Sequence, residues 1–537
     1  MVSVVRMPIG AQRRAPARPV GTENGRDFGR SSRPVLGVPK QDGSGSRGGS
    51  GIGPRLRSGR GRWRRRLTLL ALVTLLVWGG VLIVLGSDAG SPTSTPQLAA
   101  PQQPPTPAPV QPPRPSGQPR FVSLEGNDRN SGSRDSPFRT LTAAASAAKP
   151  GDTILVRGGT YSHERVFIRH SGVAGSPITV KPYPGERVVL DGQADTVNGA
   201  NLWFTDDGLF TVKASHVVVE GFEIKNAPTH GIHATGENLV IRKNLTHHIW
   251  MNGIAMLRAS NSIIEDNEVH NTAMNNFRDR ASVWAGGLTV QSLGGEVMRN
   301  VTIRRNFVHE LWGEAIYLEE ADGFTIQDNI VRNAHSISYG FTTSSNGVFE
   351  RNIAYADGNW ATSRYPARAF TWGGEDLPWG DGSNHARNVI VRNNLFVNQG
   401  DAAFMRMAST LTYSNFQFIG NTFYNAGLFA GDMLNGSGSG NVLKNNIIKG
   451  GVHLMNRDTW DISNNSYPDG NHYGEPLGAN ALTGSPLFVN PGGFSAGDYA
   501  LQASSPVIGK GVTLADLPRD MAGALRRNPP SLGAMGQ

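Results

Sequence analysis

The chain of 537 residues contains no cysteine. Disulfides, thiolate metal centres and cysteine nucleophiles are therefore excluded, and any metal ligand must be oxygen or imidazole. Net positive charge is also lacking from most of the chain. Of the formal +9, residues 1–66 carry +13, from sixteen Lys/Arg against Glu23, Asp27 and Asp42, and everything after Arg66 carries −4. That distribution argues against a folded basic face for nucleic acid, and no nucleic-acid partner is expected. Long apolar runs are lacking too, with one exception at Leu67–Leu85, LTLLALVTLLVWGGVLIVL, which holds 19 residues and no charge.

That run has the length a transmembrane helix needs. Seven Arg lie between Arg55 and Arg66, and the next positive residue beyond the run is Arg114, which places the N-terminus in the cytoplasm and the rest of the chain outside. A cleaved signal peptide is the rival reading, with Ser87-Asp88-Ala89 as its cleavage site. The length of the apolar run and of the arm before it favours a membrane anchor. Residues 1–66 read as a disordered basic tail and 86–119 as a linker, since 91–119 hold eleven Pro. Extended at about 3.1 Å per residue, such a linker reaches about 90 Å.

A phrase then returns along the chain. RNFVHE at Asn306 and DNIVRN at Asn329 stand 23 residues apart, and the aligned series runs Gly221, Asn244, Asn267, Asn306, Asn329, Asn352, Asn394, Asn421, Asn446, Asn465. A unit this short has no helical pattern and holds three brief strand-like runs. Three residues before the column stand Val218, Ile241, Ile264, Ile303, Ile326, Phe349, Val391, Phe418, Leu443 and Ile462, all apolar. Two residues after it the set is again apolar from Val269 onward, with Glu223 and Thr246 as early breaks. Stacked coils of three strands, about 4.8 Å apart, predict an all-β parallel solenoid of about twelve coils over residues 120–511. The Asn column predicts stacked amides at a turn, and the Ala-rich Pro137–Ala148 predicts a helix capping the open end. Residues 512–537 read as a tail or cap, and the chain as a monomer.

Three segments carry a resemblance: FVSLEGNDRNSGSRDSPFRTLTAAASAAKPGDTILVRGGTY (121–161), SPITVKPYPGERVVLDG (176–192) and SPLFVNPGGFSAGDYALQASSPVIGKG (485–511). Together they resemble right-handed parallel β-helix proteins that share an N-terminal region with bacterial polysaccharide lyases of family 9. The resemblance spans nearly all of 120–537 and implies a right-handed β-helix. It does not choose a reaction, because that fold hosts lyases, hydrolases, epimerases and non-catalytic proteins. Family 9 lyases are expected to use a lysine base beside an aspartate-rich calcium cluster. The matching strands hold no such cluster, Asp206-Asp207-Gly208 precede the regular coils, and the expected groove floor has no lysine, so no catalytic residue is carried over.

Two repeats are long, at 39 and 42 residues, and their added sequence lies in 272–285, 357–368 and 373–386. Insertions three coils apart, about 14 Å, imply a groove. Alternation from Ile316 and Leu318 turns Tyr317 and Glu319 onto its floor, with Thr342 and Ser344 as neighbours on the next coil. The insertions concentrate Trp284, Trp360, Tyr365, Trp372 and Trp379 with Arg278, Arg280, Arg364 and Arg368. Aromatic faces suit sugar rings and Arg suits carboxylates, so an acidic polysaccharide is the expected partner. Tyr317 is the first candidate for the acid or base of a lyase or epimerase, an insertion Arg its carboxylate partner, and Glu319 an acid/base residue or metal ligand. Hydrolysis by paired carboxylates among Glu319, Glu375, Asp376 and Asp381 is the alternative, and non-catalytic glycan binding a third reading. Glu375, Asp376 and Asp381 also offer oxygen ligands for Ca²⁺, without the spacing of a regular calcium loop. His247, His270, His309, Arg332 and Tyr355 fall on successive coils and read as a solvated polar surface in preference to a metal or anion site, while His230 and His233 stay ambiguous.

Overall fold

A coil of this repeat cannot bury a core alone, so each is completed by its neighbours. In the computed structural model, Met298–Arg304, Phe307–Leu311 and Glu314–Glu319 form one coil and pair in parallel with Ala321–Gln327, Ile330–Ala334 and Ile337–Thr342 of the next. Repetition builds three parallel sheets, called first, second and third in coil order, of 13, 13 and 11 strands. At about 4.8 Å per rung the longer sheets run about 58 Å. The structure describes residues 117–199, 207–277, 285–292, 296–358, 367–373, 385–400, 402–403, 412–430, 438–454, 457–470 and 476–536. The expected tail and membrane helix and nearly all of the linker lie outside these residues, as do Arg278, Arg280, Trp284, Trp360, Arg364, Tyr365, Glu375, Asp376, Trp379 and Asp381. Among the described residues no helix is long and apolar enough to cross a membrane.

Strand alternation sends one set of side chains inward from each sheet. Ile303, Ile326 and Phe349 of the first sheet, Val308, Val331 and Phe396 of the second, and Ile316, Tyr339 and Phe370 of the third are at most 1% exposed. Trp372 belongs to this core: it is 0% exposed and its ring stacks on Phe341 at 4.1 Å. Its assignment to sugar binding is thereby corrected, because in Arg368–Gly373 the pleat turns Phe370 and Trp372 inward and Thr371 outward.

The Asn column forms a continuous buried ladder. Each amide Nδ2 of Asn244, Asn267, Asn306, Asn329, Asn352, Asn394, Asn421 and Asn446 donates to the Oδ1 of the next Asn at 3.0–3.1 Å. The same Oδ1 accepts the preceding rung's backbone N–H, as from Asn306 to Asn329 at 3.0 Å, and each Nδ2 also reaches a strand carbonyl, as from Asn329 to Ile303 at 2.9 Å. The ladder starts one residue later than the repeat suggested: Phe222 N–H donates to Asn244 Oδ1, and Val219 pairs with Ile241, so Phe222 and not Gly221 holds the first rung. Ile224 then stands opposite Thr246 in the inward set, which removes Glu223 as a break. Most residues just before the Asn are left-handed, with φ of 53–60° at Lys243, Asp266, Arg305, Asp328, Arg351, Asn393, Asn445 and Asn464. Each L-residue in that region costs roughly 1–2 kcal/mol, which the ladder must offset.

At the N-terminal end, the helix Leu141–Ala147 buries Leu141, Ala144 and Ala145. Thr142 accepts the N–H of Phe167 and donates to Arg165 O, so the helix lies along Val166–Ile168, the outermost strand of the third sheet. Glu164 Oε1 accepts the Leu141 N–H at 2.6 Å, and burial raises its carboxyl to about 7. At the other end, residues 486–535 cover the outer face of the second sheet, where Phe488, Tyr499, Leu501, Val507 and Leu532 form an apolar cluster with Ile353, Leu395, Val397 and Ile447. Arg526 fixes this segment, its Nη2 donating to Asn393 Oδ1 and Gly533 O at 2.7 Å each, and burial lowers its guanidinium to about 10.

Two outcomes follow. Asn329→Leu leaves the buried backbone N–H of Asn306 without its acceptor and removes one of the bonds of its Nδ2, and denaturant unfolding should show a loss of about 3 kcal/mol or more. Glu164, with a folded value of about 7 above its ordinary 4.5, contributes stability that is fully present below pH 4.5 and is lost as pH rises to 7. Glu164→Gln should flatten the melting temperature over that window; an unchanged slope would contradict the assignment.

Candidate active site on the outer face of the third sheet

The strands of the third sheet turn a second set of side chains away from the core. His233, Ala255, Thr289, Tyr317, Gly340 and Thr371 stand in register across six strands, and Glu319, Thr342 and Gly373 continue the row two residues on. None of these belongs to the apolar core cluster. The row is polar because the pleat sets it, and it is close-spaced because the coils stack in register.

Tyr317 and Glu319 meet in this row. The Tyr317 hydroxyl lies 2.9 Å from Thr342 Oγ1 and 3.3 Å from Glu319 Oε2, and Gln291 Nε2 donates to the same carboxylate oxygen at 3.1 Å. One phenolic proton cannot serve both neighbours, so the hydroxyl donates to one and accepts from the other. The Tyr317 ring lies over Gly340, where an added Cβ would stand 2.7 Å from ring carbon Cδ2 and 3.6 Å from Glu314 Oε2. Gly340 is thus the slot the ring needs, and Glu314 brings a second carboxylate to the ring's side. Tyr317 is 8% exposed and Glu319 2%.

The expected neighbour Thr342 is in place. Ser344 is not: its hydroxyl accepts the Ala321 N–H and donates to Thr342 O, so it serves the turn between coils. Arg368 is half-buried, in register with Ile337 and, one strand further, Glu314. The remaining expected insertion residues, including the Ca²⁺ candidates, lie outside the described residues. Among the described residues no three His, Asp or Glu side chains gather as a metal site. Sequence reasoning missed Gln291 and Glu314. Continuing the alternation of GGLTVQ by two residues would have found Gln291; Glu314 begins its strand, where alternation gives no signal.

The polar face continues toward the N-terminal coils. Thr289 Oγ1 donates to Asn252 Oδ1 at 3.1 Å, and Asn252 Nδ2 lies 3.3 Å from His230 Nδ1. His230 stacks on His233 at 5.3 Å, and burial, with His233 beside it, lowers its imidazole to about 3, so it is neutral. Beyond them Asp207 meets Lys213 at 2.6 Å and Arg165 at 3.5 Å. The ambiguous His pair is therefore part of this same face.

Residues 120–307 match the family model described as the Pel9A-like, right handed beta helix region. The N-terminal coils therefore carry the polysaccharide-lyase-like right-handed β-helix, and the match ends ten residues before Tyr317. Pectate lyase L of Paenibacillus polymyxa is 28% identical over 288 residues, 51% of this chain and 55% of its own length. The uncharacterized protein YwoF of Bacillus subtilis is 27% identical over 227 residues, 41% of this chain and 43% of its own. The chain thus spans about half the length of these curated relatives. The crystal structure of pectate lyase Pel9A superposes with a TM-score of 0.48 at 16% identity, over 78% of this chain and 96% of that one.

Proposed function

We propose that the protein is a membrane-anchored, exported β-helix that binds an acidic, uronate-containing polysaccharide along the outer face of the third sheet and cleaves it by β-elimination. The observation that carries the reading is the Tyr317–Glu319–Thr342 cluster, a phenol and a carboxylate two residues apart on one strand, outside the core and in mutual reach. The pectate lyases among the similar proteins support the polysaccharide as substrate class.

In this reaction the C5 proton of a uronate passes to the Tyr317 oxygen while the phenolic proton passes to Glu319, whose carboxylate Gln291 holds in place. The C4–O4 bond breaks, a C4–C5 double bond forms, and the leaving oxygen takes a proton from solvent. The substrate carboxylate needs a cation as negative charge develops, and Arg368, with the insertion arginines Arg278, Arg280 and Arg364, fills that role. Trp284, Trp360, Tyr365 and Trp379 hold the sugar rings. The anchor is the helix at 67–85, with residues 1–66 cytoplasmic and the Pro-rich linker spanning to the β-helix.

A second reading, non-catalytic glycan binding, is favoured by the near-complete cover of Tyr317 and Glu319, 8% and 2% exposed. An ultraviolet assay on a panel of uronic-acid polymers separates the two. Lyase action should yield unsaturated ends, and Tyr317→Phe should lower the rate by about 10²–10⁴-fold with binding retained. Binding without unsaturated product across the panel would leave the non-catalytic reading.

A further inference from the structure

The outer face of the second sheet carries imidazoles that take no part in the reading above. His247, His270 and His309 hold equivalent positions on adjacent strands and stack at 5.0 and 4.8 Å. Consecutive residues of a strand point to opposite faces. His248 breaks this rule with a left-handed φ of 54°, and its ring comes back to the side of His247. The two Nδ1 atoms then lie 2.7 Å apart.

Tautomers follow from the neighbours. His247 Nε2 lies 3.4 Å from Glu223 Oε1, which favours a proton on Nε2 and leaves a lone pair on Nδ1. The short contact then requires His248 to donate its Nδ1 proton. His270 stacks on His247 with the ring planes 1° apart and stands edge-on to His248 at 6.2 Å, which limits how either ring can turn. The His247 side chain keeps 15% of its surface open to solvent.

We propose that His247 Nδ1 and His248 Nδ1 are the two protein ligands of a divalent transition-metal site of the Cu²⁺ or Ni²⁺ type, the ion replacing the proton they share. With bonds of about 2.0–2.1 Å, cis nitrogens at a right angle stand about 2.9 Å apart, and in a tetrahedron about 3.3 Å. The separation of 2.7 Å is closer to the square arrangement, which copper and nickel favour and zinc does not. On loading, His248 gives up its Nδ1 proton and takes one at Nε2, so no net proton is released near neutrality. Among the described residues no third His, Asp or Glu side chain converges on the pair, and solvent fills the remaining positions. Glu223 and Glu268 favour a cation here, and Lys225 and Arg187 oppose it.

Titration of the full-length protein with Ni²⁺, followed by calorimetry, should show one saturable site. His247→Gln and His248→Asn should each weaken it by tenfold or more, while His163→Gln, at an exposed histidine, should leave it unchanged. Asn accepts the left-handed backbone that His248 adopts, so that variant should keep its fold, which circular dichroism checks. Electron paramagnetic resonance of the unmodified protein with one equivalent of Cu²⁺ needs no variant, and should show coupling to two imidazole nitrogens. Absence of saturable binding, binding in either variant as tight as in the unmodified protein, or a copper spectrum without two nitrogens would overturn the proposal.

Discussion

A strand slipped by one residue turns its inward side chains out, and a slip in one coil of a solenoid passes to every coil above it. In this protein the amide ladder from Asn244 to Asn465 is the interaction that forbids the slip. Each Asn holds the backbone of the rung below and the side chain of the rung above, so the ladder is satisfied in one register alone. It tolerates unequal coils, since the step from Asn267 to Asn306 and the step from Asn352 to Asn394 keep the same bonds as the shorter ones. Insertions can therefore leave the coil between sheets without disturbing the stack.

The candidate active site depends on that register. Tyr317 reaches Thr342 because adjacent coils are one rung apart, and its ring finds Gly340 because those two residues are paired. The fold places polar side chains on an outer face by the same pleat that fills the core with Ile316, Leu318 and Trp372. The second sheet shows two other uses of an outer face: near the C-terminal end it is sealed by apolar residues from 486–535, and further back it is left to the imidazole column.

How far these features were legible in the sequence depends on whether they repeat. The parallel coils, the inward columns and the structural role of Asn were legible because ten coils repeat them, and the polar partnership of Tyr317 and Glu319 followed from alternation within one strand. Departures from the repeat, and turns whose residue type gives no signal, were missed or misplaced. Trp372 looks like an insertion residue until its pairing with Phe341 shows that it belongs to a core strand. The repeat points to Gly221 as the first rung because Phe222 holds the position through its backbone and offers no Asn to align on. Arg305 and Arg351 take a left-handed turn position that their residue type does not suggest. The His247–His248 contact was hidden for the same reason, since strand alternation would have put the two rings on opposite faces.

A structure of the protein with a bound uronate oligosaccharide is the most direct test of the account. The chain of sugars should lie along the outer face of the third sheet, with a uronate C5 within about 3–3.5 Å of the Tyr317 oxygen and its carboxylate facing an arginine. A sugar chain seated on the first or second sheet, or on the third sheet beyond reach of Tyr317, would contradict it.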